Sequence, residues 1–370
     1  MGRLDVLARD VRFGIRSLAK TPGFTVAAVV ALALGIGADT AILSVVDSVL
    51  LRPLGYANAD RLVVILHHGR NAVAPANFLD WRRVARSYTA VEAAEYWSAN
   101  LGGVEEPERL TGLHVSAGML PMLGIAPEVG RVFTADDDRP GANHVVVIGH
   151  GLWQRRFGGD PQVVGKRILL EGAPHTIVGV MPATFQFAPF WATRAELWAP
   201  LPLADRAGHR DSRSLRIFAR LRDGVSLEQA RDEIRTLTAR LEQEFPGTNE
   251  NVQVVPLKAR VVGDVRTPLV VLLVAVSFVL LISCANVAHM LLARAATRQR
   301  ELAVRTALGA TKGRIVGQLL VESMLLAVAG GVSGLVVAAL GVRALVATGP
   351  AMIPRVAGVS IDARVLLMTV

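Results

Sequence analysis

Three long runs of the chain are apolar on every face, without the alternation of a half-buried strand or an amphipathic helix. They predict membrane-spanning helices at residues 23–51, 269–292 and 315–346, because a helix needs about 18 or more apolar residues to cross a hydrocarbon core some 30 Å thick. Ahead of the first run, Leu4, Leu7, Val11, Ile15 and Leu18 repeat at helical spacing in residues 1–22, which predicts an amphipathic leader lying in the membrane interface. Residues 52–268 contain no comparable run. They show short β-type stretches at 61–66, 144–149, 167–171, 175–180 and 215–221 instead. Between these fall helical patterns, the clearest at 226–245, where Ala230, Ile234, Leu237 and Leu241 share a face and Ser226 with Gln229 forms a capping box. The expected fold class is an α+β membrane protein, with a large mixed α/β domain inserted between the first and second transmembrane helices.

Composition agrees with that division. Of 370 residues, 52% are hydrophobic and only 19% charged, and the mean hydropathy is +0.41, an apolar excess too large for one aqueous core. The net charge of +9 would suit a nucleic-acid binder, but much of the basic charge flanks the spans. The leader sets Arg3, Arg9, Arg12, Arg16 and Lys20 against Asp5 and Asp10; the connector at 293–314 sets Arg294, Arg298, Arg300, Arg305, Lys312 and Arg314 against Glu301. Positive flanks stay on the cytoplasmic side, so both segments are expected inside, against membrane lipid, with 52–268 outside and no nucleic acid as partner. The first run is too long for the apolar part of a cleaved signal peptide and reads as an uncleaved anchor. Its far end, including Asp47, is expected to project into water. Residues 347–364 read as an external loop and 365–370 as the start of a fourth, truncated span, with a frayed amphipathic tail as the alternative.

Catalytic signatures are missing. The nearest approach to a phosphate loop, at 159–167, has a spacer one residue too long and Arg167 where a hydroxyl would hold magnesium; it reads as a turn followed by a strand. The glycines Gly35 and Gly37 fall within a span and suit close helix packing. His67, His68, His144 and His150 have no ligand spacing, and Asp136, Asp137 and Asp138 read as a solvated loop rather than a calcium loop. Cys284 is the only cysteine. Neither enzymatic activity, metal nor cofactor is expected.

The connector is the most informative segment. Good helix formers occupy 299–308, and Gly309 is placed to end that helix. Two readings stand: a short helix that receives a push from a cytoplasmic partner, or a basic hairpin anchored on anionic lipid. Near the inner end of the second span lie Asn286 and His289, and Glu322 falls at similar depth on the third, which predicts a polar contact between helices. Gly330 and Gly334 form a small-xxx-small pair for helix packing.

The connector sequence RQRELAVRTALGATKGRIVGQLLVES resembles the cytoplasmic segment of MacB-like and FtsX-like ABC transporter permeases. LRPLGYANADRLV, NFLDWRR, GMLPMLGIAPEVGRVFTADDD, VIGHGLWQRRFGGDPQVVGKRILLEG and HTIVGVMP resemble the periplasmic core domain of the same permeases. The closest likeness is to the N-terminal half of a duplicated orphan permease; such permeases have eight spans. Family members often carry Asn where this chain has Asp39 and Asp47. The resemblance implies a non-catalytic efflux subunit of the bacterial inner membrane, with a separate ABC ATPase and a second permease half or homodimer partner. It further implies mechanotransmission: ATP-driven motion moves the periplasmic domain, for export or extraction of substrate. In that scheme 293–314 holds a coupling helix that meets the ATPase through Glu301, Leu302, Arg305, Ala307, Leu308 and Gly309. Leu302, Ala307 and Leu308 would supply apolar contact, and Glu301 and Arg305 charge pairing. The alternative is a membrane-anchored extracytoplasmic binding or sensory module without ATP coupling.

Overall fold

The computed structural model describes residues 3–103, 108–139, 141, 144–185, 187, 195–297, 307, 312–348, 359 and 361–369. The chain forms two compact units, Pro53–Asp264 and the pair Met1–Arg52 with Val265–Val370.

The Pro53–Asp264 unit is built on ten strands: β1 (Leu62–His67), β2 (Tyr88–Gly102), β3 (Glu108–Val115), β4 (Val129–Gly130), β5 (Val145–Gly149), β6 (Arg167–Leu170), β7 (Ala173–Met181), β8 (Leu197–Pro200), β9 (Arg216–Leu221) and β10 (Val252–Pro256). They join one sheet in the order β10-β1-β9-β2-β3-β8-β5-β7-β4, with β6 paired to β2 and β7. The β10-β1-β9-β2 half is antiparallel throughout, whereas β3 with β8 and β5 with β7 run parallel. All six residues of β1 are buried, which is why its sequence is one continuous apolar run rather than an alternating one.

Helices α3 (Pro75–Val84), α4 (Met119–Leu123) and α6 (Leu227–Glu244) accompany the antiparallel half, α3 and α4 against β2 and α6 against β10; α5 (His150–Phe157) packs on β5 and β7. Phe78 and Trp81 of α3 are fully covered, and Trp81 Nε1 donates to Asn249 Oδ1 at 3.1 Å. Helix α6 buries Ala230, Ile234, Thr238 and Leu241. It opens with the capping box read from the sequence: the Gln229 amide donates to Ser226 Oγ at 3.2 Å, and the Ser226 amide donates to Gln229 Oε1 at 2.9 Å. Arg231, one turn in, donates through Nε to the Val254 carbonyl on the outermost strand β10 at 3.0 Å. Around β5 and β7 a second core gathers Val146, Ile148, Leu152, Trp153, Ile177 and Val180. Residues 159–167 form a turn, a short 3-10 turn at Pro161–Val163 and the start of β6, as expected.

One expectation needs correction here, and five strands, β2, β3, β4, β8 and β10, lie outside the stretches expected. Strands β2 and β3 were not evident in the sequence, because β2 is rich in alanine and turns the carboxylate of Glu92 inward, blurring any apolar alternation. The aspartates at 136–138 are not one solvated loop. Asp137 is buried, accepting two hydrogen bonds from Arg131 at 2.6 and 3.0 Å and closing a capping box with Thr134. Both oxygens of Asp138 accept from the Ala117 amide, at 3.2 and 3.1 Å. Only Asp136, exposed beside Arg139, fits the expectation.

The other unit is helical. It contains α1 (Arg3–Ala19), α2 (Pro22–Val46), which runs on as a π-helical turn at Asp47–Leu51, α8 (Lys312–Thr348) and α9 (Ala363–Thr369). The long helix α7 (Leu257–Thr297) begins before Val265 and supplies this unit's remaining helix. Pro22–Leu51, Leu257–Thr297 and Val316–Ala347 are long and apolar enough to cross a membrane. Pro268, which the sequence reading left outside the second span, lies inside α7; it removes one backbone donor without stopping the helix.

Asp47 does not project into water. It is 1% exposed, because the π turn brings Arg52 back onto it, Nε to Oδ2 at 2.7 Å. The same guanidinium pairs with Asp362, whose Oδ1 accepts from the Val365 amide in the first turn of α9 at 3.1 Å.

Candidate functional site

Among the described residues, no group of three or more His, Cys, Asp or Glu side chains is arranged to hold a metal ion. The ionisable groups buried in the Pro53–Asp264 unit hold its fold together. Glu92 on β2 is 5% exposed, accepts from Ser116 Oγ at 2.5 Å and lies 3.7 Å from Arg82 Nη2. Burial pushes its carboxyl above the ordinary glutamate range; Arg82 and Ser116 oppose that shift, and Asp138 adds to it. Asp138 is likewise pushed up by burial. The chain at Gly118 passes so close that any added Cβ would meet the Glu92 carboxylate. Farther along β2, burial opposes ionisation of Glu95, but hydrogen bonds from Arg206 and Ser214 hold it below the usual carboxylate range. His114, facing it on β3, is lowered to about 4 by burial and stacks on Trp97 with centroids 4.5 Å apart.

The helical unit carries polar groups of another kind, placed where helices meet. Helices α2 and α8 meet through small residues. A Cβ added to Gly330 would stand 2.5 Å from Leu32 Cβ, one on Gly334 would stand 3.0 Å from Ile36 Cβ, and one on Gly37 would stand 2.9 Å from the Gly334 carbonyl oxygen. Backbones approach that closely only where side chains are missing. Asp39, 6% exposed on α2, accepts from Ser277 Oγ of α7 at 3.2 Å. The same hydroxyl lies 3.0 Å from the Leu273 carbonyl of its own helix, so its single proton serves either Asp39 or that carbonyl.

At the opposite end of α2, four helices converge on Arg294, in the last turn of α7. Its Nη2 donates to the Ser17 carbonyl and hydroxyl of α1 at 3.0 and 3.1 Å. Its Nη1 lies 3.7 Å from Glu322 Oε2 of α8, and its guanidinium carbon stands 4.7 Å above the Phe24 ring of α2. The Arg294 and Glu322 side chains are 9% and 4% exposed. Leu18, Ala28, Leu32, Val287 and Leu326 pack into a dry cluster nearby. Removing one partner of a buried ion pair is strongly destabilising, because the other charge is left buried without its counter-charge.

Glu322 is thus buried between helices, while Asn286 and His289, its expected partners, lie on exposed positions of α7. The helical phase explains the difference: Ser283 and Val287 take the inward face, and that face is continued by Arg294. Arg294 was visible in the sequence only as one of several flanking cations. Pairing the acid with every cation at its depth would have found it. Of the predicted connector contacts, Glu301, Leu302, Arg305, Leu308 and Gly309 lie outside the described residues. Ala307 is helical, with its side chain exposed. The described geometry offers buried, oriented joints between helices.

Comparison with known proteins gives these joints a setting. A family model described as the MacB-like periplasmic core domain matches residues 25–237, and one described as the FtsX-like permease C-terminal region matches residues 273–370. The chain is 30% identical over 212 residues to the pyoverdine export ATP-binding/permease protein PvdT of Pseudomonas syringae pv. tomato, covering 56% of this chain and 31% of that protein. It is 26% identical over 238 residues to the uncharacterized ABC transporter permease YknZ of Bacillus subtilis, covering 62% of this chain and 57% of that one. The crystal structure of the periplasmic region of MacB from Actinobacillus actinomycetemcomitans aligns with a TM-score of 0.40 at 17% identity, over 54% of this chain and 91% of that chain. The chain spans about a third of the length of PvdT, and about half that of YknZ.

Proposed function

We propose a mechanical role from one premise: this chain belongs to the ABC transporter permeases that join a MacB-like periplasmic core domain to an FtsX-like permease region. Membership implies an ATPase partner, and the relative PvdT carries both parts under one name, ATP-binding and permease. In our reading this chain is a non-catalytic permease part that receives ATP-driven motion from a separate ATPase. It passes that motion to the extracytoplasmic domain, in a bacterial inner membrane with the N-terminus cytoplasmic. Export or extraction of a small molecule is the work done, in keeping with relatives named for pyoverdine and macrolide export. A second permease half or a second copy completes the assembly.

The observation that carries this reading is the placement of the two family matches. The core-domain match runs from within the first span through most of the sheet unit, ending in α6, the permease match covers the later spans, and the basic connector falls between α7 and α8. Its basic flanks support placing that connector on the cytoplasmic side, where the ATPase would meet it. The contact is proposed to run through Glu301, Leu302, Arg305, Ala307, Leu308 and Gly309. Leu308→Asp should abolish co-purification of ATP hydrolysis with the detergent-solubilised chain while leaving membrane insertion intact. Undiminished co-purification would refute the contact, and a wild-type complex free of ATPase would favour a binding or sensory module instead.

A further inference from the structure

Arg294 touches more helices than a flanking cation needs to. A basic residue that only fixes topology sits in the headgroup region with its charge solvated, whereas Arg294 is turned inward, its side chain 9% exposed. Its fork is divided among three other helices: Ser17 on α1, Phe24 on α2 and Glu322 on α8. A planar guanidinium can face an aromatic ring while donating from one nitrogen and setting another beside a carboxylate, a geometry that a lysine ammonium does not reproduce.

The seam beneath it is equally tight. Gly14 of α1 faces α8 so closely that an added Cβ would stand 2.7 Å from Leu325 Cδ1 and 3.7 Å from Glu322 Cγ and Val321 Cγ1. Ser17 and Leu18 are buried, and Thr25 Oγ1 donates to the Leu18 carbonyl at 2.8 Å, bracing the corner between α1 and α2. The opposite side of α1 exposes Arg12, Arg16 and Lys20. One side of α1 is therefore fastened to the spans, and the fastening lies at the end of α7 that leads into the connector.

We propose that Arg294 is a positioning residue that makes α1 a moving part of the permease, so that α1 travels with the inner ends of α7 and α8 when the connector is displaced. The inference rests on the transmission reading above, and the two can fail separately. In the complex with its ATPase, reconstituted in lipid and carrying Cys284→Ser to remove the native thiol, a single spin label is placed at Arg16 on α1 or at Leu320 on α8, both exposed. Solvent accessibility of the label is then read without nucleotide and with nucleotide trapped, normalised to the ATPase bound. In the parent protein both labels should respond. With Arg294→Ala the response at 320 should persist while the response at 16 falls by roughly threefold or more, as expected when a charge-assisted hydrogen-bonded link is cut. Arg294→Lys keeps the charge opposite Glu322, should give an intermediate loss, and serves if the alanine variant does not fold. An undiminished response at 16 in either variant, or a silent label at 16 beside a responsive one at 320 in the parent, overturns the proposal. Silence at both positions in the parent, with ATPase bound, refutes the transmission reading itself and this inference with it.

Discussion

The glycines of α8 permit a test in which one helix supplies its own control. Gly330 faces α2, and a Cβ added there would stand 2.5 Å from Leu32 Cβ, 3.0 Å from Leu32 Cδ1 and 3.3 Å from Leu32 Cγ. Carbon atoms in good contact are about 3.5–4.0 Å apart, so the helices would have to separate locally by about 1 Å. Gly331, its neighbour on the same helix, has nothing within 4 Å of the corresponding position. Replacing either glycine by alanine gains about 0.5–1 kcal/mol of helix stability through lost chain freedom in the unfolded state. That gain is common to both variants and cancels between them. What remains is the overpacking penalty, about 1–3 kcal/mol, carried by Gly330→Ala alone. Equilibrium unfolding in mixed detergent should therefore rank Gly331→Ala at or above the parent and Gly330→Ala below Gly331→Ala by that margin. Equal stabilities, or the opposite order, would show that α2 and α8 do not meet at this seam.

Two further outcomes concern the sheet unit. Burial raises Glu92 above its ordinary range, so its protonation favours the folded state; its own contribution to stability should rise as pH falls from neutral through the raised value toward the ordinary glutamate range, and Asp138 contributes with the same sign, whereas His114, lowered by burial, contributes with the opposite sign over that range. Glu92→Gln should flatten that rise, measured by tryptophan fluorescence during thermal unfolding of the whole chain, since all five tryptophans belong to Pro53–Asp264; an unchanged slope would remove Glu92 as its source. Ser226→Ala should weaken the first turn of α6 by about 0.5–2 kcal/mol, read as faster amide hydrogen exchange at residues 227–231, and unaltered exchange would mean that the cap contributes nothing.

What the sequence made legible follows from how strongly each element depends on burial. Apolar runs of spanning length need no partner to be recognised. Strand β1, buried along its whole length, reads as LVVILH, and α6 announces itself through a polar cap and a 3.6-residue apolar period. Elements whose polar side chains turn inward stayed hidden. Strand β2 encloses Glu92, and the first turns of α7 carry Lys258, Arg260 and Asp264, which look like loop composition although the helix continues through Pro268. For the candidate site, Glu322 could be picked out as an acid within an apolar run, but its partnership with Arg294 depends on helical phase, and that is fixed by packing. The burial of Asp47 depends on one π turn that returns Arg52 to it, and a single turn closed by i→i+5 hydrogen bonds leaves no trace in an apolar pattern.

The hydrogen bond from Arg231 to the Val254 carbonyl reaches beyond the stability of one molecule. An outermost strand is an open template for pairing with another chain. On one border of this sheet a guanidinium occupies part of that template, and on the other β4 is only two residues long. Copies confined to one lipid bilayer collide sideways far more often than the same number free in solution. A stopper on each border lets such a crowd remain separate particles instead of zipping into ribbons.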